Sequence, residues 1–257
     1  MSPIIFTVEG NVGSGKTTML KSIMNTDPEI VVILEPVDDW MNVRLETGSA
    51  SLFELYYNDK VKYGFAFQMM ALQTRFDNMI KMCKQNDGKI ILCERSFLTD
   101  MNVFAKLMAI KGFISPIEML VYNKWYESIS ELIDLDIRGS IYLRADPATC
   151  LTRVNKRNRK GEEGISIEYL TELHDAHEGW LNAKACDASN ASPNPSNPSD
   201  ATISTHSNRT GVRGGKTEAK PPSQRPCSER PCLVMDATKS EVDVASIRAF
   251  MTAHTMQ

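Results

Sequence analysis

The stretch Gly10-Asn11-Val12-Gly13-Ser14-Gly15-Lys16-Thr17 decides the fold of this chain. It fits the P-loop pattern G-x-x-x-x-G-K-[ST], whose glycines let successive backbone N–H groups point at a phosphate. The apolar run at residues 4–8 predicts a strand before the loop, and the spacing of Met19, Leu20 and Ile23 predicts a helix after it. We therefore expect the loop and Thr18 to bind the phosphates of a nucleoside triphosphate. Lys16 would reach the β- and γ-phosphates, and Thr17 would ligate Mg²⁺.

Composition limits the class of protein. The chain has 257 residues, of which 42% are hydrophobic and 24% charged, which is enough for one α/β core with an insertion. The net charge of −3 gives no reason to expect nucleic-acid or anionic-membrane partners. The six cysteines form no C-x-x-C pair, and the sequence shows neither a signal peptide nor an apolar membrane-spanning run. These features predict reduced thiols and a cytoplasmic protein.

Strand and helix patterns alternate along the chain. Apolar, β-type runs predict five strands, at residues 4–8, 30–34, 89–93, 140–143 and 233–235. Helical spacing and capping residues predict helices at 59–85, 99–109 and 116–132, after Asp146-Pro147, from Ser166 to about 184, and at 241–251. Continuous apolar strands that alternate with helices indicate an α/β fold, with a five-stranded parallel sheet and helices on both faces.

The alternation stops at about residues 188–231. This segment is rich in Ser, Asn, Pro, Gly, Thr and Lys and has almost no apolar side chains. It cannot bury enough apolar surface to offset the entropy cost of ordering it. We expect a disordered insertion before the last strand, within a single domain that spans residues 1–257. Its basic residues could contact nucleic acid, but a solvated loop is the better interpretation.

Carboxylates follow two of the predicted strands. Glu35-Pro36-Val37, with Trp40 just beyond, follows the second strand, and Glu94-Arg95-Ser96 ends the third. Ligands of open α/β sheets bind at the carboxyl ends of strands, so Glu35 can face a hydroxylated substrate. Glu94 lies where many P-loop proteins place an acid for Mg²⁺, and it can also accept a proton from an attacking hydroxyl. Arg95 can stabilise charge on transferred oxygens, although a surface ion pair is the alternative.

Two further patterns lie in the second half of the chain. Arg153 and Arg157 share one helix face and precede a glycine-flanked turn at 161–164, which suits a lid that neutralises phosphate charge and excludes water. A solvated basic helix end is the alternative. His174 and His177 form an H-x-x-H pair, but the sequence offers no evident third zinc ligand. We interpret both histidines as structural.

In combination, these motifs resemble those of the deoxynucleoside kinases of the deoxycytidine/deoxyguanosine kinase type. The resemblance covers residues 4–183 and resumes at 233–236. Besides the P-loop and the two carboxylate triplets, it is carried by the Phe-Ala-Phe-Gln run that ends at Gln68, and by Arg153-x3-Arg157-x-Arg159 followed by Glu162-Glu163-Gly164-Ile165. It implies a P-loop kinase fold, a homodimer, and phosphorylation of a deoxyribonucleoside at its 5′-hydroxyl. The donor would be ATP or another nucleoside triphosphate, with Mg²⁺.

The resemblance also implies roles for individual residues. Glu94 would be the general base for the 5′-hydroxyl, and Glu35 and Arg95 would lie near that hydroxyl. Arg153 and Arg157 would contact the phosphates, and the turn at 237–241 would border the adenine. The remaining substrate contacts would be Tyr57 and Glu162 at the 3′-hydroxyl, Gln68 at the base, and Trp40, Phe67 and Phe104 around the base.

Two positions bear on the choice of base. Arg75 lies two helical turns after Gln68 and shares its helix face, and Asp100 follows the Glu94 triplet. We expect Arg75 and Asp100 to pair and to present a polar fork to the base. In the family, an Arg and an Asp here, together with Ala71, mark the branch that accepts deoxycytidine and purine deoxynucleosides. The choice among deoxycytidine, deoxyguanosine and deoxyadenosine stays open.

Two other functions compete with this interpretation. A thymidylate-type nucleoside monophosphate kinase would want an Asp-Arg-Tyr-like triplet after the third strand and an extra arginine for the acceptor's phosphate. A non-catalytic P-loop switch would want D-x-x-G and N-K-x-D motifs. The triplet Glu94-Arg95-Ser96 argues against the first, and neither switch motif is present.

Overall fold

Five parallel strands form the centre of the molecule. The computed structural model describes residues 2–132, 135–181, 230–238 and 243–255. The strands are β1 (Ile4–Glu9), β2 (Ile30–Ile33), β3 (Ile90–Glu94), β4 (Ile137–Arg144) and β5 (Cys232–Asp236), and their order in the sheet is β2-β3-β1-β4-β5. Every neighbouring pair is parallel. The predicted five-stranded parallel sheet is confirmed.

Helices connect the strands and follow the last one. Those in the described ranges are α1 (Lys16–Thr26), α2 (Val37–Asn42), α3 (Leu52–Asn58), α4 (Lys60–Gln85), α5 (97–110), α6 (Pro116–Leu132), α7 (Pro147–Arg157), α8 (Ile167–Leu181) and α9 (Val244–Thr255). Helix α5 is continuous but has a π-helical middle, Asp100–Ala105, between the α-helical segments Phe97–Thr99 and Lys106–Ile110. Within the described ranges, no helix combines the length and apolar character needed to cross a membrane.

The helices cover both faces of the sheet, as predicted. Successive strand residues point to opposite faces, so Ile5 and Phe6 belong to different parts of the core. Phe6 packs with side chains of α1, α7 and α9, such as Leu20, Val154 and Ile247. Ile5 packs with side chains of α4, α5 and α6. Because both faces are buried, the strands carry the nearly continuous apolar runs from which they were predicted.

Several element boundaries differ from the prediction. Strand β4 begins three residues before the predicted start at 140, because Ile137 pairs with Ile5 of β1. Helix α9 begins after the predicted start at 241 and continues beyond 251 to Thr255. The predicted end of α8 near 184 lies outside the described residues. Helices α2 and α3 were not predicted, although Ser51 and Glu54 form a capping box at the start of α3.

The predicted insertion lies outside the described residues, except for Arg230 and Pro231. These two residues precede β5, and the described structure shows that they are packed. Arg230 is buried, and the carbonyl of Pro231 accepts a hydrogen bond of 3.0 Å from the Ser140 amide. The prediction placed the end of the insertion at about 231, and the described structure resumes at Arg230, with the Pro231 hydrogen bond joining this segment to β4.

We predict that residues 188–229 are dispensable for stability. Replacing them by a short Gly/Ser linker should change the melting temperature by only a few degrees, since their composition offers little to bury and loop-closure entropy varies slowly with length. Thermal unfolding followed by circular dichroism is the measurement. A matched variant whose deletion extends through Leu233 removes part of β5 and should lose much more stability. A large loss with the shorter replacement would mean that the segment packs on the domain.

Candidate active site

A cleft of about 780 Å³ lies at the carboxyl ends of the strands. The P-loop from Val12 to Thr18 forms one part of its lining, and α7 forms another through Arg153 and Arg157. The other side chains singled out from the sequence that line it are Glu35, Trp40, Tyr57, Phe67, Gln68, Arg75, Glu94, Arg95, Asp100, Phe104 and Glu162. Residues from many separate helices, strand ends and loops thus meet at one edge of the sheet.

The P-loop backbone is held close to the elements behind it. Gly13 has a φ of 82°, and a Cβ at this position would lie 2.5 Å from the carbonyl oxygen of Cys150 on α7. Any other residue would therefore meet both a backbone clash and a left-handed backbone penalty. Gly15, with a φ of 102°, directly precedes α1, so the helix N-terminus opens onto the loop.

Gly10 and Asn11 do not line the cleft, although both were predicted to bind ATP. Their carbonyl oxygens instead accept hydrogen bonds from Lys16 Nζ, at 3.1 and 2.8 Å. The Asn11 side chain donates to the carbonyl of Leu170 on α8. Both residues support the loop through these contacts with Lys16 and α8.

Lys16 is buried, and burial lowers its pKa to about 7, with a further lowering by Arg95. Near pH 8.5 most of this amine is neutral, whereas bound phosphate oxygens favour the ammonium form. We expect MgATP binding near pH 8.5 to take up roughly one proton, since the phosphates themselves are fully ionised there. Calorimetric titration in two buffers of different ionisation enthalpy measures this uptake. A deoxynucleoside, which brings no phosphate, should show none, and a buffer-independent heat for MgATP would contradict the prediction.

Glu94 contacts both the P-loop helix and the segment after β2. Its Oε1 accepts a 2.7 Å hydrogen bond from Thr17 Oγ1, and its Oε2 accepts a 3.3 Å bond from the Glu35 amide. The hydroxyl and the carboxylate are the two predicted Mg²⁺ ligands, and the structure places them together. Among the described residues no group of three or more His, Cys, Asp or Glu side chains could hold a metal ion. Two protein oxygens nevertheless fit Mg²⁺, which keeps waters and substrate phosphates as its other ligands.

Arg95 has a strained backbone and a fixed side chain. Its φ is 61°, in the left-handed region that bulky residues rarely adopt, at a cost of about 1–3 kcal/mol. Its amide donates to the Val8 carbonyl, and its guanidinium carbon lies 4.8 Å from the ring centre of Phe104. Its Nε lies 3.2 Å from Glu35 Oε1. Strain of this kind is found at functional sites, where the surrounding structure maintains it.

Arg75 and Asp100 form the predicted ion pair. Both are buried, and Arg75 Nη1 donates to Asp100 Oδ1. Arg75 Nη2 also donates to Glu35 Oε1, a contact that was not predicted. Burial on its own raises the pKa of Glu35, but Arg95 and Arg75 outweigh it and lower this pKa to about 2. Glu35 is therefore an anion shared by two arginines, one beside Glu94 and one beside Asp100.

Two buried acceptors in the cleft lack a hydrogen-bond partner within the described part of the chain. They are Oε1 of Gln68 and Oδ2 of Asp100. A buried acceptor without a donor costs about 1–3 kcal/mol. Because both side chains line the cleft, a ligand with N–H donors can satisfy them.

An aromatic wall closes one side of the cleft. Trp40 packs edge-on against Phe67 with ring centres 5.4 Å apart, and Tyr56 stacks on Phe67 at 4.3 Å. Phe53 lies 5.0 Å from the ring of Tyr57. Phe53 and Tyr56 were not predicted as site residues because helix α3, which carries them, was not predicted. The capping box at the start of α3 is the sequence signal that could have identified this helix. Tyr169 on α8, whose hydroxyl forms a hydrogen bond with the Tyr56 hydroxyl, was also not predicted as a site residue.

The second half of α7 and the turn that follows it line the cleft. Arg153 donates to the carbonyls of Ser14 and Ala237, at 3.0 and 2.8 Å, and so joins the P-loop to the end of β5. Arg157 donates to Glu162 at 2.6 Å. The Arg153 contacts place this arginine beside the P-loop, and Arg157 is tied to Glu162, a predicted substrate-binding carboxylate.

Comparison with known proteins gives this site a context. A family model described as deoxynucleoside kinase matches residues 6–242. A probable deoxycytidine kinase of Fowlpox virus is 34% identical over 175 residues, which cover 68% of this chain and 70% of that protein. The mitochondrial deoxyguanosine kinase of Xenopus laevis is 32% identical over 200 residues, 71% of this chain and 74% of that protein. The mitochondrial thymidine kinase 2 of Homo sapiens is 32% identical over 177 residues, which cover 69% of this chain and 64% of that protein.

The matched region contains the P-loop, the strand ends and the lid that build the cleft. This chain belongs to the deoxynucleoside kinase family and is an enzyme that phosphorylates a nucleoside with a nucleoside triphosphate as donor.

Proposed function

We propose that this enzyme transfers the γ-phosphoryl group of ATP to the 5′-hydroxyl of deoxycytidine or a purine deoxynucleoside, in preference to thymidine. The proposal rests on the two buried acceptors without partners, Gln68 Oε1 and Asp100 Oδ2. Cytosine and adenine carry an exocyclic amino group that donates hydrogen bonds, whereas thymine presents a carbonyl and a methyl group at the corresponding edge. An exocyclic amino group offers two donors for the two acceptors, whereas thymine offers a single ring N–H and leaves one acceptor unpaired.

In the proposed reaction Glu94 is the general base. Its carboxylate takes the proton of the 5′-hydroxyl as the oxygen attacks the γ-phosphorus, and the bond from that phosphorus to the β,γ-bridging oxygen breaks. Lys16, Arg95 and Arg153 stabilise the charge on the transferred group and on the leaving diphosphate. Thr17 and Glu94 would hold Mg²⁺, which neutralises phosphate charge when bound. The lid, which consists of the end of α7 with Arg157 and the turn at 161–164, closes and excludes water from the phosphates.

The deoxynucleoside is proposed to lie between the aromatic wall and α5. Tyr57 and Glu162 bind the 3′-hydroxyl, and Phe67 and Phe104 pack on the base. Glu162 is buried and accepts from both Arg157 and Arg159, so its carboxylate is held in place. This arrangement links closure of the lid to occupation of the sugar site.

A panel assay tests the proposal. Purified protein with MgATP is offered each deoxynucleoside and each deoxynucleoside monophosphate in turn, and ADP release is measured. Turnover of deoxycytidine or a purine deoxynucleoside above that of thymidine, with none on the monophosphates, supports it. Preferred turnover of thymidine, or of a monophosphate, contradicts it.

We also propose that the enzyme is a homodimer through α6. Ile117, Leu120 and Trp125 lie on one face of this helix and are 67%, 61% and 56% exposed. With Val121 they form an apolar stripe of the kind that marks a protein interface. A second copy of the chain can cover it by self-complementary packing about a two-fold axis.

The dimer proposal predicts a change of mass in solution. Sedimentation should give about twice 28.8 kDa for the native chain and the monomer mass for Leu120→Glu with Trp125→Glu, because two buried charges oppose association. Leu45→Glu, a matched change at a side chain that is 98% exposed and lies outside α6, should stay dimeric. A native monomer would contradict the proposal.

A single kinase domain and a cytoplasmic location remain our predictions from the sequence.

A further inference from the structure

Arg95 has a second partner besides Glu35, the imidazole of His177. This histidine lies on α8 and is completely buried. Its Nδ1 lies 2.6 Å from the carbonyl oxygen of Leu173, one helical turn earlier, and its Nε2 lies 3.4 Å from Nη1 of Arg95. Because a carbonyl can only accept, Nδ1 carries the ring proton. The lone pair of Nε2 then accepts from the guanidinium.

Packing fixes the position of the imidazole ring. Tyr142 on β4 stacks parallel to it, with ring centres 6.1 Å apart and an angle of 2°. Phe104 meets it edge-on at 6.5 Å, and the same Phe104 ring lies under the guanidinium of Arg95. The ring therefore cannot turn away from Arg95 without disturbing both neighbours.

The surroundings keep His177 neutral. Burial lowers its pKa well below the ordinary value, and the positive charges of Arg95 and Lys16 and the neighbouring His174 lower it further, against a smaller effect of the Leu173 carbonyl. A neutral imidazole is the form that can accept from an arginine.

We propose that His177 is a positioning residue for Arg95 in the phosphoryl transfer. This inference rests on the proposed function, in which Arg95 stabilises the transferred group. Arg95 needs such support because its backbone is strained and because its other partner, Glu35, is shared with Arg75. His177 holds the Nη1 end of the guanidinium, so the side chain is already oriented when the substrates arrive.

Kinetics of three variants test the proposal. His177→Phe keeps the aromatic packing but removes the acceptor, so kcat should fall about 10- to 100-fold, the range for a hydrogen bond to a charged group, with the nucleoside KM little changed. His177→Gln places an amide oxygen near the position of Nε2 and should restore most of kcat. His174→Gln is the matched control, one turn earlier on α8, and should behave like the native enzyme.

A double-variant cycle separates positioning from a general structural role. If His177 acts through Arg95, adding His177→Phe to Arg95→Ala should lower kcat little further. A Phe variant with native kcat, or fully additive losses, would overturn the inference. Nitrogen NMR of the native protein gives a test independent of variants: the ring should show the Nδ1–H tautomer at neutral pH, and an Nε2–H or charged ring would refute it. A native enzyme that phosphorylates no nucleoside would refute the proposed function instead.

Discussion

Glu94→Gln should lower kcat by about 10²–10⁴ and leave the binding of the deoxynucleoside nearly unchanged. The amide cannot take the proton of the 5′-hydroxyl. It can, however, keep both present contacts, since its oxygen can accept from the Glu35 amide and its NH₂ group can donate to Thr17. The loss should therefore be chemical rather than structural. Steady-state kinetics give kcat, and calorimetric titration with the nucleoside gives the affinity.

Glu9→Gln is the matched control for this experiment. Glu9 ends β1 beside β4, is fully buried, accepts a hydrogen bond from Thr99 and does not line the cleft. Burial raises the pKa of this carboxyl, so exchanging it for a neutral amide costs less than it would at a fully solvated carboxylate. The kcat of the Glu9→Gln variant should stay near the native value. Equal losses in the two variants, or full turnover in Glu94→Gln, would show that Glu94 is not the base.

The features predicted from the sequence are those with strong local signals. The P-loop pattern, the apolar strands and the caps at Asp146 and Ser166 each depend on a few neighbouring residues, and the structure has all of them. Glu35 and Glu94 could be placed in one site because the carboxyl ends of parallel strands meet at one edge of the sheet. The pairing of Arg75 with Asp100 followed from helix geometry combined with this rule.

The features that were missed depend on contacts between distant elements. The left-handed φ of Arg95 has no local signal, since glycine or asparagine is the usual residue there. The π-helical segment differs from an α-helix over only six residues, too few to change the apolar spacing. The bond from Arg75 to Glu35 joins α4 to the end of β2, so it could be found only from the folded chain.

In the proposed function, the shared carboxylate of Glu35 connects the side chains that recognise the base to those at the reacting phosphate. On one side it meets Arg75, which pairs with Asp100, and on the other it meets Arg95, next to Glu94. In the proposed function, a change at the base therefore reaches Glu94 and Arg95 through one half-buried anion, Glu35. Its effect should appear in kcat as well as in KM, in contrast to a change confined to the aromatic wall.

The double variant Arg75→Met with Asp100→Ala should lose the preference of the enzyme against thymidine. In the native protein Gln68 Oε1 and Asp100 Oδ2 both lack a donor; the amino group of cytosine offers two N–H donors and thymine only its ring N–H, so we expect kcat/KM for deoxycytidine to exceed that for thymidine by at least about 10². The double variant removes the Asp100 acceptor together with its counterion, and that ratio should fall by about 10². Glu35 keeps Arg95 as a partner, so no buried charge is left alone.

The single variants show why both residues must change. Arg75→Met leaves Asp100 buried without its cation, which costs about 3–5 kcal/mol, whereas Asp100→Ala leaves Arg75 still bonded to Glu35 and should cost less. Arg138→Met with Asp136→Ala, an ion pair at β4 away from the cleft, is the matched control and should keep the native order of substrates. The measurement is kcat/KM for deoxycytidine, deoxyguanosine and thymidine. An unchanged order in the Arg75 and Asp100 double variant, or a native preference for thymidine, would show that these two residues do not determine the base.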